Sequence, residues 1–482
     1  MNGNAASVLL ENGRADDVAL VCDGQTRSYA QLREAVARAA GAWRARKLQP
    51  GERVAVQLPD GFAWVEAFLG CIWAGGVAVG VNPRLSEAEW KAMLDAAGFR
   101  FVLAESREQT PEPYRQQVIT LGEWLAEQEC SPAIEPLPCE PTQPAVWVHS
   151  SGTSGKPKAV VHGHRFATQI ERVTAEVVGA DAGDRIFASS KMFFSYPQTN
   201  ALYAGLKLGA SIVLDPAWPT AAGVAQTVAQ TRPTVLCSVP SLYRNLLKEG
   251  LAAQLVRDGV RRFVSAGEAL SVDLRDEWRR QTGASIINGY GASETLVLVM
   301  TDRDDGRGLR PSPGIDARPL AANGASPIRL SFDAPMIALG YWNLPGDQAE
   351  HFRDGRFCPS DLFEPQPDGS YRFAGREGSL VKVHGRWVDL IAIEETLGLV
   401  SPDILEAAAV LVPDADGLDA VAVFYVPKDV ASMPRAEAAL RDHTQAMPPF
   451  RRPRWFHPID ALPRTATGKL IRRKLQDLHK AQ

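Results

Sequence analysis

The chain has 482 residues, 45% hydrophobic and 22% charged, which is too long for one core and suits two or three domains. With 52 basic against 56 acidic residues and a net charge of -4, it offers no field for nucleic acid or an anionic membrane, so substrate charge must be met locally. No apolar run reaches membrane-spanning length, the start lacks a basic and apolar leader, and the six cysteines, Cys22, Cys71, Cys130, Cys139, Cys237 and Cys358, form no CxxC pair. A cytoplasmic protein with buried thiols and no zinc site is expected.

Ser28 and Gln31 form a capping box that predicts a helix over 30–48, with Leu32, Val36, Ala39 and Trp43 on one face. Strand 53–58, helix 62–74 and strand 77–81 follow, the pattern of a parallel sheet with a crossover. Ser86 and Glu89 open a second capped helix over 86–97, ahead of a strand over 101–104. Residues 105–144, rich in Pro, Glu and Gln, read as a surface excursion.

The ten residues 149–158, HSSGTSGKPK, place four hydroxyls, two glycines and two lysines together. Such a run turns backbone N–H groups inward as an anion nest, with hydroxyl donors and cationic charge for polyphosphate. It is not a Walker loop, because Gly152 and Gly155 are too close and Lys156 precedes Pro157. Short β-branched runs at 145–148 and 159–161 make it the tip of a hairpin, and an ordinary Gly/Ser turn is the plain alternative. His149, His162 and His164 lack a third ligand of matched spacing and read as structural histidines.

Beyond the loop, strands at 186–188, 211–214, 234–239, 262–265 and 285–288 alternate with helices, including one over 221–231, so the first two thirds read as layered α/β. After about residue 333, short strands at 356–363 and 370–373 suggest a small β subdomain. Strands at 380–383, 387–388, 407–412 and 420–426 with helices at 393–400 and 435–446 form an α+β unit of about 100 residues. The boundary falls in Gly375-Arg376-Glu377-Gly378-Ser379, giving domains 1–376 and 377–482.

Four more motifs follow the loop in order: Gly289-Tyr-Gly-Ala-Ser-Glu294 after a strand, Ser360-Asp361 at a strand end, Gly375-Arg376, and Pro463-Arg-Thr-Ala-Thr-Gly-Lys469. Each alone is a common structural feature. Together, over almost the whole length, they resemble the adenylate-forming superfamily of acyl-CoA synthetases, adenylation domains and luciferases. KMFFSY at 191–196, the segment 232–243 and KVHGRWV at 382–388 look most like benzoate-CoA ligases and related aryl-CoA ligases.

The resemblance implies that fold: a large N-terminal domain of layered α/β subdomains plus a small β subdomain, and a small mobile α+β C-terminal domain. It also implies that carboxylate and MgATP give an acyl-adenylate and pyrophosphate, after which the CoA thiol takes the acyl group and AMP leaves. Ser150, Ser151, Gly152, Thr153, Ser154, Gly155 and Lys158 would grip the β and γ phosphates, and Glu294 would hold Mg²⁺, a hard ion suited to carboxylate and phosphate oxygen. Tyr290 would lie against adenine, with Gly267, Glu268 and Ala269 opposite and Asn288, Gly289, Gly291 and Ser293 around it. Asp361 would take the ribose hydroxyls beside Arg376. Lys469 would bridge carboxylate and α-phosphate in the first step only, then withdraw as the C-terminal domain turns about Gly378 and brings Gly385 and Trp387 to the pantetheine tunnel.

Ser195, Tyr196, Val239, Ala266, Gly267, Ser293, Val297 and Leu298 are the acyl-pocket candidates, with core packing the alternative for Tyr196 and Leu298. Ser195 stands where amino-acid-activating relatives carry an Asp, so an α-ammonium would be buried unpaired. Val297 replaces a histidine of benzoate-type ligases and makes the pocket more apolar. An aromatic or small apolar acid is expected, handled by a monomer or homodimer with ATP, Mg²⁺ and CoA. A carrier-protein phosphopantetheine is the alternative acceptor. A non-catalytic nucleotide-binding regulator is the reading from another class, disfavoured by Glu294 with Lys469. The cluster 472–474 reads as a solvated face or as a contact to a CoA phosphate.

Overall fold

The computed structural model describes residues 3–151, 157–268, 270–302, 308–320, 326–376, 380–383, 386–398, 400–414, 418–445, 447–464 and 470–480. The chain divides into two compact units: residues 1–270, 274–318 and 331–358 in the first, and 271–273, 319–330 and 359–482 in the second. The described residues contain no helix long and apolar enough to cross a membrane.

Two sheets organise the first unit. In one, seven strands run in the order 340–341, 157–163, 144–151, 77–80, 53–57, 101–104, 118–120. Its middle strands are parallel, as the strand–helix–strand pattern predicts, while Pro144–Ser151 and Pro157–Gly163 form the expected antiparallel hairpin. Helix Tyr29–Ala45 starts at a complete Ser28–Gln31 capping box, and its four predicted apolar residues are fully buried. Helix Glu87–Ala97 starts at the Ser86–Glu89 box. Such caps stabilise a helix end by about 1 kcal/mol.

The stretch 105–144 is more than a surface excursion. Its strand Val118–Thr120 pairs in parallel with Phe101–Ala104, and Thr120 and Glu123 cap helix Leu121–Cys130. That helix buries Trp124, whose ring lies 4.1 Å from Trp43. The polar composition hid a third capping box. Cys130 ends the helix and is exposed, contrary to the expectation for the thiols; the other five cysteines are buried.

The second sheet of this unit has nine strands among the described residues, in the order 310–311, 300–302, 286–290, 262–265, 235–238, 185–188, 211–214, 18–22, 25–28. Its six central strands are parallel. From Arg185–Ala188 the chain passes to Ser211–Leu214 on one side and then to Val235–Ser238 on the other, which makes a topological switch point at the carboxyl ends of strands 185–188 and 235–238. Open α/β sheets form ligand crevices at that place.

The second unit carries hairpins Asp361–Pro365 with Tyr371–Arg376 and Leu380–Val383 with Arg386–Asp389. The predicted strand 356–363 is in fact two, Arg356–Phe357 and Asp361–Pro365, because Pro359 has no N–H to donate. Asp361 therefore opens its strand and does not end one. Strands Ile404–Pro413, Asp419–Pro427 and Trp455–Pro458 form a sheet covered on both faces. Ala409, Val421 and Tyr425 pack with Ile393 and Leu440 on one side, and Ala408, Val410 and Phe424 with Leu462 and Leu475 on the other.

Candidate active site

Four neighbouring parallel strands deliver the predicted pocket segments at one edge of the nine-stranded sheet. Residues 191–196 follow Arg185–Ala188, Val239 follows Val235–Ser238, Ala266 and Gly267 follow Arg262–Ser265, and Asn288 to Tyr290 end Ile286–Tyr290. The switch-point strands are tied at this edge by Ser189 N–H to the Cys237 carbonyl, 3.0 Å, and by the Ser189 and Ser238 hydroxyls, 2.8 Å apart.

The segment 191–196 is fixed from the other sheet. Met192 N–H donates to both oxygens of buried Asp60, at 3.1 and 3.2 Å, and Lys191 Nζ lies 3.6 Å from the same carboxylate. Burial pushes the Asp60 carboxyl up to about 6 even with Lys191 beside it. Tyr196 donates its hydroxyl to the Val264 carbonyl at 3.0 Å, and burial drives its pKa well above the ordinary phenol value. Its position is thus set by two strand ends, the packing alternative expected for it. Ser195 Oγ lies 3.5 Å from Ser293 Oγ.

Glycine is required at two points of the 289–294 motif. A Cβ on Gly289 would lie 2.4 Å from Leu298 Cδ1, and one on Gly291 would lie 2.7 Å from the Val297 carbonyl oxygen. Leu298 and Val297 are themselves buried and back this turn. The turn is knotted by buried Thr295, whose Oγ1 accepts Ala292 N–H at 2.9 Å and lies 3.0 Å from the carbonyl oxygens of Ala292 and Val297. Leu296 takes φ 57° inside a γ-turn closed by Val297 N–H to Thr295 O, 2.7 Å. That strained backbone follows directly on Glu294, and strain of this kind concentrates at functional sites.

Glu294 is buried, and its carbonyl accepts Ala338 N–H at 2.8 Å. His162, on the hairpin, lies with Nε2 2.8 Å from the Ser293 carbonyl and Nδ1 3.3 Å from that of Met336. Burial holds its pKa down to about 4, so the neutral ring donates one N–H, and the shorter contact assigns it to Nε2. His164 Nδ1 accepts Ala5 N–H at 2.9 Å, in keeping with a structural role.

Glu294 Oε1 accepts the Tyr341 hydroxyl at 2.7 Å, and Oε2 has no hydrogen-bond partner among the described residues. Lys158 Nζ lies 5.5 Å from the centre of the Tyr341 ring and pairs closely with Asp347. A chain of groups, Asp347, Lys158, Tyr341 and Glu294, thereby joins the hairpin lysine to the predicted metal carboxylate. A buried carboxylate with one oxygen held and one open fits a hard dication that takes one or two carboxylates and completes its shell with phosphate and water. Tyr341 and Asp347 were not found from the sequence. The nearest signal is the tight string Gly340-Tyr341 before the Pro345 helix start.

The remaining predicted residues fall as follows. Tyr290 lies with its ring 6.1 Å from that of Phe332. Glu268 accepts Ser241 N–H and Oγ–H, both at 2.9 Å, so its carboxylate caps helix Pro240–Lys248. Gly267 takes φ 84°, a conformation suited to glycine. In the second unit, Asp361 and Arg376 stand opposite each other across their hairpin, with Nε and Oδ1 3.9 Å apart. Arg472 donates to both oxygens of Glu394 at 2.7 and 2.8 Å and is not part of a solvated cluster. Ser150 lies opposite Lys158 in the hairpin, and Ser151 ends its strand. Gly152, Thr153, Ser154, Gly155, Ala269, Gly378, Gly385 and Lys469 lie outside the described residues, as does the Trp387 side chain.

Residues 10–325 match the model of the AMP-binding enzyme family, and residues 392–469 that of the AMP-binding enzyme C-terminal domain. A 3-hydroxybenzoate–CoA ligase of Aromatoleum sp. (strain CIB) is 34% identical over 98% of this chain and 95% of its own. A benzoate–CoA ligase of Thauera aromatica is 31% identical over 96% of this chain and 93% of its own. Among solved structures, an anthranilate CoA ligase in complex with anthranoyl-AMP superposes with a TM-score of 0.90 at 26% identity, covering 99% of this chain and 98% of that one. A benzoate CoA ligase from Burkholderia xenovorans LB400 does so with a TM-score of 0.85 at 28% identity, covering 99% of this chain and 100% of that one.

Proposed function

The chain belongs to the AMP-binding enzyme family, and on that premise we propose that it is an ATP-dependent aryl-CoA ligase acting on a ring-hydroxylated benzoate. The single observation that carries the reading is the arrival of four pocket segments at one sheet edge, at the switch point, beside the Asp347, Lys158, Tyr341 and Glu294 chain. The hydroxyl ring substituent is supported by the Ser195 and Ser293 hydroxyls facing each other, and by identities of 34 and 33% to two ligases acting on 3-hydroxybenzoate against 31% to a benzoate ligase.

In the first step a carboxylate oxygen of the acid attacks the α-phosphorus and the bond to the β-phosphate oxygen breaks. Lys158 offsets the charge gathering on the departing pyrophosphate, and Lys469 offsets the repulsion between carboxylate and α-phosphate. Glu294 would hold Mg²⁺, which when bound would supply positive charge to neutralise the polyphosphate. The Gly289 to Gly291 turn packs so closely against Val297 and Leu298 that neither glycine could carry a Cβ without a clash. Asp361 takes the ribose hydroxyls, with Arg376 beside it. In the second step the CoA thiol sulfur attacks the acyl carbon and the bond to the AMP oxygen breaks. For this the domain 377–482 turns about Gly378, withdrawing Lys469 and presenting Gly385 and Trp387 to the pantetheine.

The test is pyrophosphate release and thioester formation with benzoate, its 2-, 3- and 4-hydroxy and amino forms, and short aliphatic acids, each with and without CoA. Acid-dependent pyrophosphate release and a CoA thioester are expected, greatest for a hydroxybenzoate. No turnover with any acid refutes the reading, and adenylation without transfer to CoA moves the acceptor to a carrier-protein phosphopantetheine.

A further inference from the structure

The geometry points to Tyr341 as a positioning residue that sets the metal-binding carboxylate and carries the phosphate lysine on its ring. This rests on the reading of Glu294 as the magnesium ligand. Tyr341 is held on every side. Its strand Gly340–Tyr341 pairs with Val160 and Val161 of the hairpin, and its N–H donates to Gln348 Oε1 at 2.9 Å. Gly340, at φ 142°, has no room for a Cβ against that same Gln348 side chain. The ring meets those of Phe352 and His351 edge-on at 5.4 and 6.1 Å.

A ring fixed in this way delivers its hydroxyl to one place. The O–H donates to Glu294 Oε1 at 2.7 Å, which leaves Oε2 as the oxygen without a protein partner among the described residues. One carboxylate oxygen is therefore assigned to the protein and the other to the ion. That division suits Mg²⁺, whose octahedral shell favours single-oxygen carboxylate contacts. The face of the ring, with Lys158 Nζ 5.5 Å from its centre, adds a cation–π contact that keeps the lysine near the same site. Asp347, in the first turn of helix Pro345–His351, pairs with Lys158 as well. Tyr341 thus gives the ion site and the phosphate site a common reference.

The experiment uses the full chain and two substitutions, Tyr341→Phe and Glu294→Gln, with circular dichroism and thermal melts to show that each folds. The readout is the affinity for α,β-methylene-ATP with and without Mn²⁺, by calorimetry, so that the preference for the metal complex is a ratio within each protein. Tyr341→Phe keeps the ring and removes one hydrogen bond to a charged group, so that preference should fall about tenfold while metal-free binding stays the same. Excess Mg²⁺ should restore most of the adenylation rate of this variant, which a loss of packing would not allow. If Glu294→Gln loses the preference and Tyr341→Phe keeps it, the role of Tyr341 is refuted and that of Glu294 stands. If Glu294→Gln keeps it, Glu294 does not hold the metal, and the inference falls with that reading.

Discussion

The chain around the two lysines proposed for the first reaction differs. Lys158 is built into a strand: it pairs across the hairpin with Ser150, is mostly buried, and meets Asp347 and the Tyr341 ring. Lys469 lies outside the described residues, and the comparison rests on the residues that flank it. Arg464 and Leu470 form an isolated antiparallel bridge, and Ile471 N–H donates to the Pro463 carbonyl at 2.8 Å. Immediately after it, Arg472 grips Glu394 with two hydrogen bonds, and Leu475 is fully buried against the sheet of the second unit. A charge fixed in a sheet serves a ligand that is always bound in the same place. The residues that flank Lys469 are anchored within their own unit, in keeping with the proposal that this lysine serves one step only.

The sharpest way to break this contrast is Lys469→Ala. Adenylate formation, followed as pyrophosphate exchange, should fall about 10²- to 10³-fold, the usual loss for one charge-stabilising group in a transition state. Thioester formation from supplied acyl-adenylate should stay within about threefold of the parent, as the proposal that the group acts in only one step requires. Equal loss of both halves would remove Lys469 from its assigned role.

Lys158→Ala should separate from it in kind. A fixed phosphate contact is made in the ground state as well as in the transition state, so the change should fall on KM for ATP, by about tenfold, with a smaller loss in kcat. Removal also leaves Asp347 without its partner beside the incoming phosphates, which adds repulsion to the loss. A pure kcat defect would place Lys158 with Lys469 and erase the distinction.

What the sequence made legible was local. The capping boxes at Ser28 and Ser86 and the hairpin around 149–158 depend on residues within a few positions of one another. So does the Gly289 to Gly291 turn, whose glycines are demanded by Val297 and Leu298 a few residues on. The Thr120 box was equally local but lay in a stretch whose composition reads as loop, and it passed unnoticed. Tyr341 and Asp347 were illegible for another reason. Asp347 is 189 positions from Lys158, and only the pairing of Gly340–Tyr341 with the hairpin brings them together. No spacing rule carries that information, because strand pairing across a sheet fixes it.

The smallest expected effect distinguishes the two units by their response to acid. His149, His162 and His164, all in the first unit, are held down to about 4 by burial, against an ordinary value of 6.5. A histidine lowered on folding favours the folded state fully above 6.5, and that stability is lost as pH falls towards 4, because the unfolded chain takes up the proton first. Asp60, raised to about 6 from 3.8, acts in the opposite sense over nearly the same range, so these four groups together take up about two protons on unfolding near pH 5. Each proton corresponds to about 1.4 kcal/mol per pH unit. In the second unit, His457 is also lowered by burial and by His479, whose Nδ1 lies 2.9 Å from its Nε2, but it is one group and only partly enclosed. Hydrogen exchange between pH 7 and 5 should therefore show protection falling more steeply over residues 53–163 than over 404–427. His162→Asn, which keeps a donor for the Ser293 carbonyl and cannot titrate, should flatten the first slope and leave the second alone. A parallel decline in both units would show that their stabilities do not differ in proton linkage.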